Sequence, residues 1–131
     1  MSRIMDFLND AGVFFLATVD STGQPKLRPL GARLEMDGKV LFGVGDFKEV
    51  YKQLVNEPRV EIAAIRNDGH WLRYTGKAVF ETDPKYAEAM ITEAHLEEIY
   101  NEKTGNKLAV FHLEDATAFE YTLMSKGESL L

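Results

Sequence analysis

The sequence predicts a mainly β fold in which antiparallel strands make a closed or partly closed barrel with helices at its periphery. Three observations carry this expectation. Short apolar and β-branched runs recur between turn signals. The sharpest of those signals is Met36-Asp37-Gly38-Lys39, where Asp-Gly between two strands suits a type I′ hairpin. Tight turns between successive runs imply antiparallel neighbours. Strands and helices do not alternate regularly, which argues against a doubly wound parallel sheet.

The elements follow in order. Ser2 to Ala11 reads as a helix: Ser2 caps it, Ile4, Leu8 and Ala11 share a face, and Gly12 ends it. Val13 to Val19 is a strand, apolar on both faces, which must be covered on both sides. Asp20-Ser21-Thr22-Gly23 is a turn. Pro25 to Glu35 reads as a second strand containing Pro29, and Val40 to Val44 as a third. Phe47 to Asn56 has a helical apolar face of Val50, Tyr51, Leu54 and Val55, with Asp46 as its expected N-cap and Pro58 closing it. Val60 to Ile65 and Trp71 to Phe80 are strands around the turn Asn67-Asp68-Gly69. Asp83-Pro84 is a cap followed by proline at the first helical position. That helical region is expected to reach about Glu102, with a break near His95. Leu108 to Leu113 and Ala118 to Leu123 read as two final strands, and the last residues as frayed.

Composition bounds the function. The chain of 131 residues is the size of one domain. Hydrophobic residues make up 45% and charged residues 27%, which suits a globular chain. It has no cysteine, which excludes disulfides, thiolate metal sites and cysteine nucleophiles. Asp6 and Asp10 interrupt the N-terminal segment, so it does not read as a signal peptide, and a cytoplasmic location is expected. The formal net charge of −6 argues against a nucleic-acid binder but leaves room for a local basic pocket. The three histidines lack metal-ligand spacing, and no serine sits in a nucleophile elbow.

Three segments can carry chemistry. In Lys26-Leu27-Arg28-Pro29-Leu30, strand alternation puts Lys26, Arg28 and Leu30 on one face. Pro29 holds Arg28 extended and removes a ladder donor, which places the segment at a sheet edge or bulge. It reads as a solvated edge or as a place for a phosphate beside an apolar ring. In Gly43-Val44-Gly45-Asp46-Phe47-Lys48, a strand runs straight into a helix start, where free N–H groups suit an anion. Lys48 opposes the helix dipole there and calls for solvent or an anion. In the third segment, Trp71, Arg73, Thr75 and Lys77 share a face that suits a planar ligand, a subunit interface or a mixed core strand.

Taken together, these segments resemble the pyridoxamine-phosphate-oxidase-like FMN-binding split barrels. The resemblance runs through Phe15 to Asp20 with Gly23-Gln24-Pro25 and Arg28-Pro29. It continues through Asp37-Gly38-Lys39, Phe42-Gly43, Lys48, Val50 to Leu54 and Asn56 to Glu61. It then takes in Trp71-Leu72-Arg73, Gly76-Lys77-Ala78 and Ala109 to Leu113, nearly the whole chain. The chain is most similar to the small prokaryotic members, including nitroimidazole-resistance-like proteins. The resemblance implies a six-stranded antiparallel split barrel and a homodimer with FMN at the interface. It implies that Arg28 and Lys48 bind the FMN phosphate, that Leu30 and the stretch Val44, Gly45, Asp46 and Phe47 line the ribityl chain and ring, and that Gln53 reaches the phosphate region. Trp71 and Arg73 would border the flavin of the partner. Val44 and Gly45 stand where many members carry Thr or Ser, so a hydroxyl contact is missing there. The long C-terminal substrate segment of true pyridoxamine-phosphate oxidases is not expected. The implied function is an FMN-dependent oxidoreductase moving electrons from a nicotinamide donor to a small organic acceptor, with no side-chain catalyst required. Two alternatives stay open: a non-catalytic flavin-binding or sensing protein, and a related barrel that binds deazaflavin or haem.

Overall fold

The computed structural model describes residues 2–131. Among them the chain forms helix α1 (Arg3–Ala11), strands β1 (Phe14–Val19), β2 (Pro25–Leu30), β3 (Arg33–Met36) and β4 (Lys39–Gly45), then helix α2 (Glu49–Asn56). Strands β5 (Arg59–Ile65) and β6 (Trp71–Phe80), helix α3 (Pro84–Glu93), and strands β7 (Leu108–Tyr121) and β8 (Glu128–Ser129) follow. The strands form one curled antiparallel sheet of order β2-β1-β5-β6-β7-β4-β3, with β8 beside β7. The result is a half-barrel flanked by three helices, the mainly β architecture that the sequence predicts. No helix among the described residues is long and apolar enough to cross a membrane.

Local chemistry explains the boundaries. Ser2 Oγ accepts a hydrogen bond from the Met5 amide at 3.0 Å and starts α1. Asp37 and Gly38 both have positive φ, 54° and 74°, as a type I′ turn requires. The Asp37 carboxylate accepts from the Tyr86 hydroxyl at 2.7 Å and pairs with Lys85 at 3.0 Å, tying the β3–β4 turn to α3. The Tyr86 bond first, and Lys85 second, hold this carboxyl below its usual range. Because the folded-state pKa is depressed, its stabilising effect is full above the ordinary carboxylate value and is lost as pH falls through the lowered one. Asp37→Asn is therefore expected to lose a small part of the acid-side fall in stability, read from urea midpoints across a pH series.

Four elements differ from the sequence expectation. The run from Pro25 to Glu35 is two strands, divided at Gly31-Ala32, and these lie at opposite edges of the sheet. Pro29 is tolerated because β2 is an edge strand. The N-cap of α2 is Lys48 rather than Asp46. The carboxylate of Asp46 instead accepts from the Lys107 amide, and its own amide donates to the Lys107 carbonyl at 2.9 Å. The α3 helix stops at Glu93, and His95 at a φ of 56° turns the chain out of it. The two expected last strands are one, β7, because Glu114-Asp115 makes a bulge against Thr75–Lys77 rather than a reversal.

The inner face of the sheet carries an aromatic centre. Phe42 meets Phe14 edge-on at 5.3 Å between ring centroids and lies 5.7 Å from Phe111 and 6.2 Å from Tyr74. Ile4, Phe7 and Leu8 of α1 and Val50 and Leu54 of α2 belong to the same core. A second cluster, Leu41, Tyr86, Met90, Leu108 and Val110, packs β4 and β7 against α3. Strand β4 is thus covered on both faces, and Gly43 leaves the space that the Met90 thioether fills. One apolar surface stays uncovered: Phe15 is 40%, Leu27 68% and Ile65 60% exposed on the outer face of β1, β2 and β5.

Candidate functional site

Strand β2 pairs with β1 so that Lys26, Arg28 and Leu30 stand opposite Thr18, Leu16 and Phe14. The face shared by these three residues is therefore the inward one. Beside it, β4 ends at Gly45 and the chain turns into α2. Between them lies a cleft of about 510 Å³. Arg28, Pro29, Leu30, Val44, Gly45 and Lys48 all line it, six of the residues expected from the sequence. Leu96, Ile99 and Tyr100, from the turns after α3, and Leu108 close its far side.

Arg28 is half-buried, and none of its partners is a carboxylate. Its Nη1 donates to the Leu16 carbonyl at 3.1 Å and to Thr18 Oγ1 at 2.7 Å, and its Nη2 donates to Gln53 Oε1 at 2.9 Å. Burial pulls this guanidinium below its ordinary pKa, yet it stays charged. A desolvated cation held only by neutral oxygens is a strong attractor for an oxyanion. Lys48 is exposed at the start of α2 and makes no capping bond; its ammonium lies 5.9 Å from the centroid of the Phe47 ring. The first amides of a helix lack intrahelical acceptors, so Lys48 and the α2 N-terminus together favour negative charge on this side of the cleft. Glu49, which also lines the cleft, opposes that preference, but it pairs with Lys52 at 3.3 Å.

The other expected residues take different places. Lys26 shares the strand face with Arg28 but is exposed and does not line the cleft. Asp46 braces the end of β4 against Lys107. Phe47 packs near Tyr100, with 6.3 Å between centroids. Gln53 meets Arg28 rather than the cleft lining. Trp71 and Arg73 lie on the outer sheet face, away from this cleft. There Trp71 stacks on Tyr121 at 4.4 Å, and Arg73 covers both rings while pairing with Glu61 at 2.7 Å. A hollow of about 330 Å³ beside them is lined by Phe15, Ala63, Ala64, Ile65 and Trp71.

Thr18 and Tyr100 are among the residues at the site that carried no assignment in the sequence. Thr18 is 2% exposed, and its only signal is a hydroxyl in an otherwise apolar inward series, Phe14, Leu16, Thr18. Tyr100 is far from the strands in sequence and gave no signal. Its hydroxyl lies 3.0 Å from where a Cβ on Gly45 would stand, and the nearest atom of Phe47 lies 2.7 Å from that point. Gly45 therefore leaves room for two aromatic side chains. Tyr100 and Leu108 also line a larger neighbouring cavity of about 630 Å³, so they form the wall between the two spaces.

Comparison with known families decides what this geometry belongs to. The family described as pyridoxamine 5'-phosphate oxidase matches residues 2–123. The chain belongs to this family. No curated protein matches it. Among solved structures, this pyridoxamine 5'-phosphate oxidase family member is similar to a NimC/NimA family protein from Clostridium acetobutylicum. The two are 29% identical with a TM-score of 0.87, over 98% of this chain and 89% of that one. It shares its fold with HupZ from group A Streptococcus, at 21% identity and a TM-score of 0.69 over 98% of each chain. A heme binding protein from Mycobacterium smegmatis also shares the fold, at 18% identity and a TM-score of 0.71, over 94% of this chain and 54% of that one.

Proposed function

We propose that this chain is a cytoplasmic, homodimeric FMN-binding protein that passes electrons from a nicotinamide donor to a small organic acceptor. The observation that carries this reading is the cleft lined both by half-buried Arg28, without a carboxylate partner, and by Lys48 at the start of α2. These two cations hold the phosphate. Leu30, Val44 and Gly45, which line the same cleft, would hold the ribityl chain and ring. When bound, FMN supplies the hydride-transfer chemistry, and the protein binds and orients it.

The second half of the site comes from a second copy of the chain. Phe15, Leu27 and Ile65 form an exposed apolar patch beside the Trp71–Tyr121 stack, the kind of surface that marks an interface. A Phe15→Glu, Ile65→Glu double variant, changing only exposed positions, is expected to fold but to sediment as a monomer and to lose FMN. A variant that stays dimeric would place the interface elsewhere.

The deciding measurement is the absorbance spectrum of the purified protein before and after incubation with FMN. A flavin spectrum, with nicotinamide-dependent reduction of an added acceptor, supports the oxidoreductase. A protein that remains colourless removes the flavin. The likeness to a heme binding protein gives haem as a second reading. Among the described residues the cleft is lined by no histidine, and the chain has no cysteine, which leaves Tyr100 as the cleft-lining side chain of a type that ligates haem iron. A Soret band in place of flavin absorbance would favour that reading.

A further inference from the structure

Thr18 is the one polar residue in the fully enclosed core among the described residues, and it sits beneath the candidate cleft rather than in it. Its surroundings form a closed set of hydrogen bonds. Arginine can only donate, so Gln53 must present its Oε1 to Arg28 Nη2. Thr18 Oγ1 accepts from Arg28 Nη1 and donates in turn to the same Gln53 oxygen at 2.5 Å. The Leu16 carbonyl takes another Nη1 hydrogen. Three strongly directional contacts from β1 and α2 therefore hold the far end of the guanidinium. Its Nε–H and the second Nη2 hydrogen have no protein acceptor among the described residues. These neighbouring donors suit bidentate capture of a phosphate.

Resting on the oxyanion reading of the Arg28 cleft, we infer that Thr18 and Gln53 are positioning residues for Arg28: they aim its remaining donors at the ligand phosphate and do not bind the ligand themselves. The inference departs from the phosphate-contact role that the resemblance implies for Gln53, because the oxygen of that side chain is already shared by two donors. It also assigns a purpose to a buried hydroxyl that packing alone does not need. Gln53 lies on the same helix that begins at Lys48, so the set also sets the spacing of the two cations.

The test is a double-mutant cycle in the full chain, with FMN, riboflavin and inorganic phosphate as separate probes. Gln53→Leu and the near-isosteric Thr18→Val are each expected to weaken FMN binding on the order of tenfold. Riboflavin, which lacks the phosphate, should bind both variants as it binds the parent. Thr18→Ser restores the hydroxyl and should restore FMN affinity. In an Arg28→Ala background, Gln53→Leu should cause no further loss, since its effect passes through Arg28. Circular dichroism of each variant checks the fold. Equal losses for FMN and riboflavin, a full additional loss in the Arg28→Ala background, or unchanged FMN affinity in both single variants each overturn the inference. If the parent binds inorganic phosphate but no FMN, the flavin reading fails, and the same cycle run with phosphate decides the positioning role. If the parent binds neither, the positioning role falls with it.

Discussion

Arg28→Ala and Lys48→Ala are each expected to weaken FMN binding by roughly 1.5–3 kcal/mol, the range for a hydrogen bond to a charged group. Flavin fluorescence titration reads this directly. The two losses should differ in kind. Arg28 is half-buried and held by Leu16, Thr18 and Gln53, so its donors are already aimed. Arg28→Lys keeps the charge but loses the planar fork, and should lose most of the affinity that Arg28→Ala loses. Lys48 is an exposed cation at a helix start, acting mainly through charge. Lys48→Arg should therefore bind nearly as well as the parent, and the Lys48 contribution should fade with added salt. Unchanged affinity in both alanine variants would remove this cleft as the phosphate site.

The largest stability effect is expected at Phe42. It is fully buried on β4 and contacts Phe14, Tyr74 and Phe111, joining strands β1, β4, β6 and β7 through one ring. Phe42→Ala should cost about 3–5 kcal/mol, the range for removing a core aromatic and leaving a cavity. Urea denaturation measures it. Phe42→Leu refills much of the volume and should recover most of the loss. The neighbouring residues Val44 and Gly45 line the cleft, so the cavity variant should also loosen cofactor binding, whereas the exposed Phe47 can be truncated with little effect on folding.

Much of the fold was legible because it is written in local chemistry. Asp37-Gly38 specifies a type I′ turn through its positive φ angles, and Ser2 and Asp83 cap their helices through their own side chains. The inward residues of β6, Leu72, Tyr74 and Gly76, follow from a period of two. The misplaced boundaries have non-local causes. Nothing within Pro25 to Glu35 says that its halves belong to opposite edges of one sheet. Glu114-Asp115 carries a turn composition but lies against β6, whose partner register turns it into a bulge. Asp46 has the chemistry of an N-cap, yet the amide of Lys107, distant in sequence, competes for its carboxylate.

The candidate site divides along the same line. Sequence by itself determined that the chain would be a mainly β, turn-rich antiparallel fold, and it marked Arg28 and Lys48 as cations open to solvent or to an anion, which the family resemblance turned into a candidate phosphate pair. Alternation along a strand and polarity along a helix place the two cations but do not choose between solvent and a ligand. Tertiary structure alone decided that these two line one cleft, that Lys26 lies outside it, and that Trp71 and Arg73 belong to another surface. It alone brought Thr18 and Gln53 around the Arg28 guanidinium and put Tyr100 against Gly45. The physical reason is range: turns, caps and alternation act over a few residues, whereas the partners of a half-buried charge are chosen by whichever distant elements the curled sheet packs beside it.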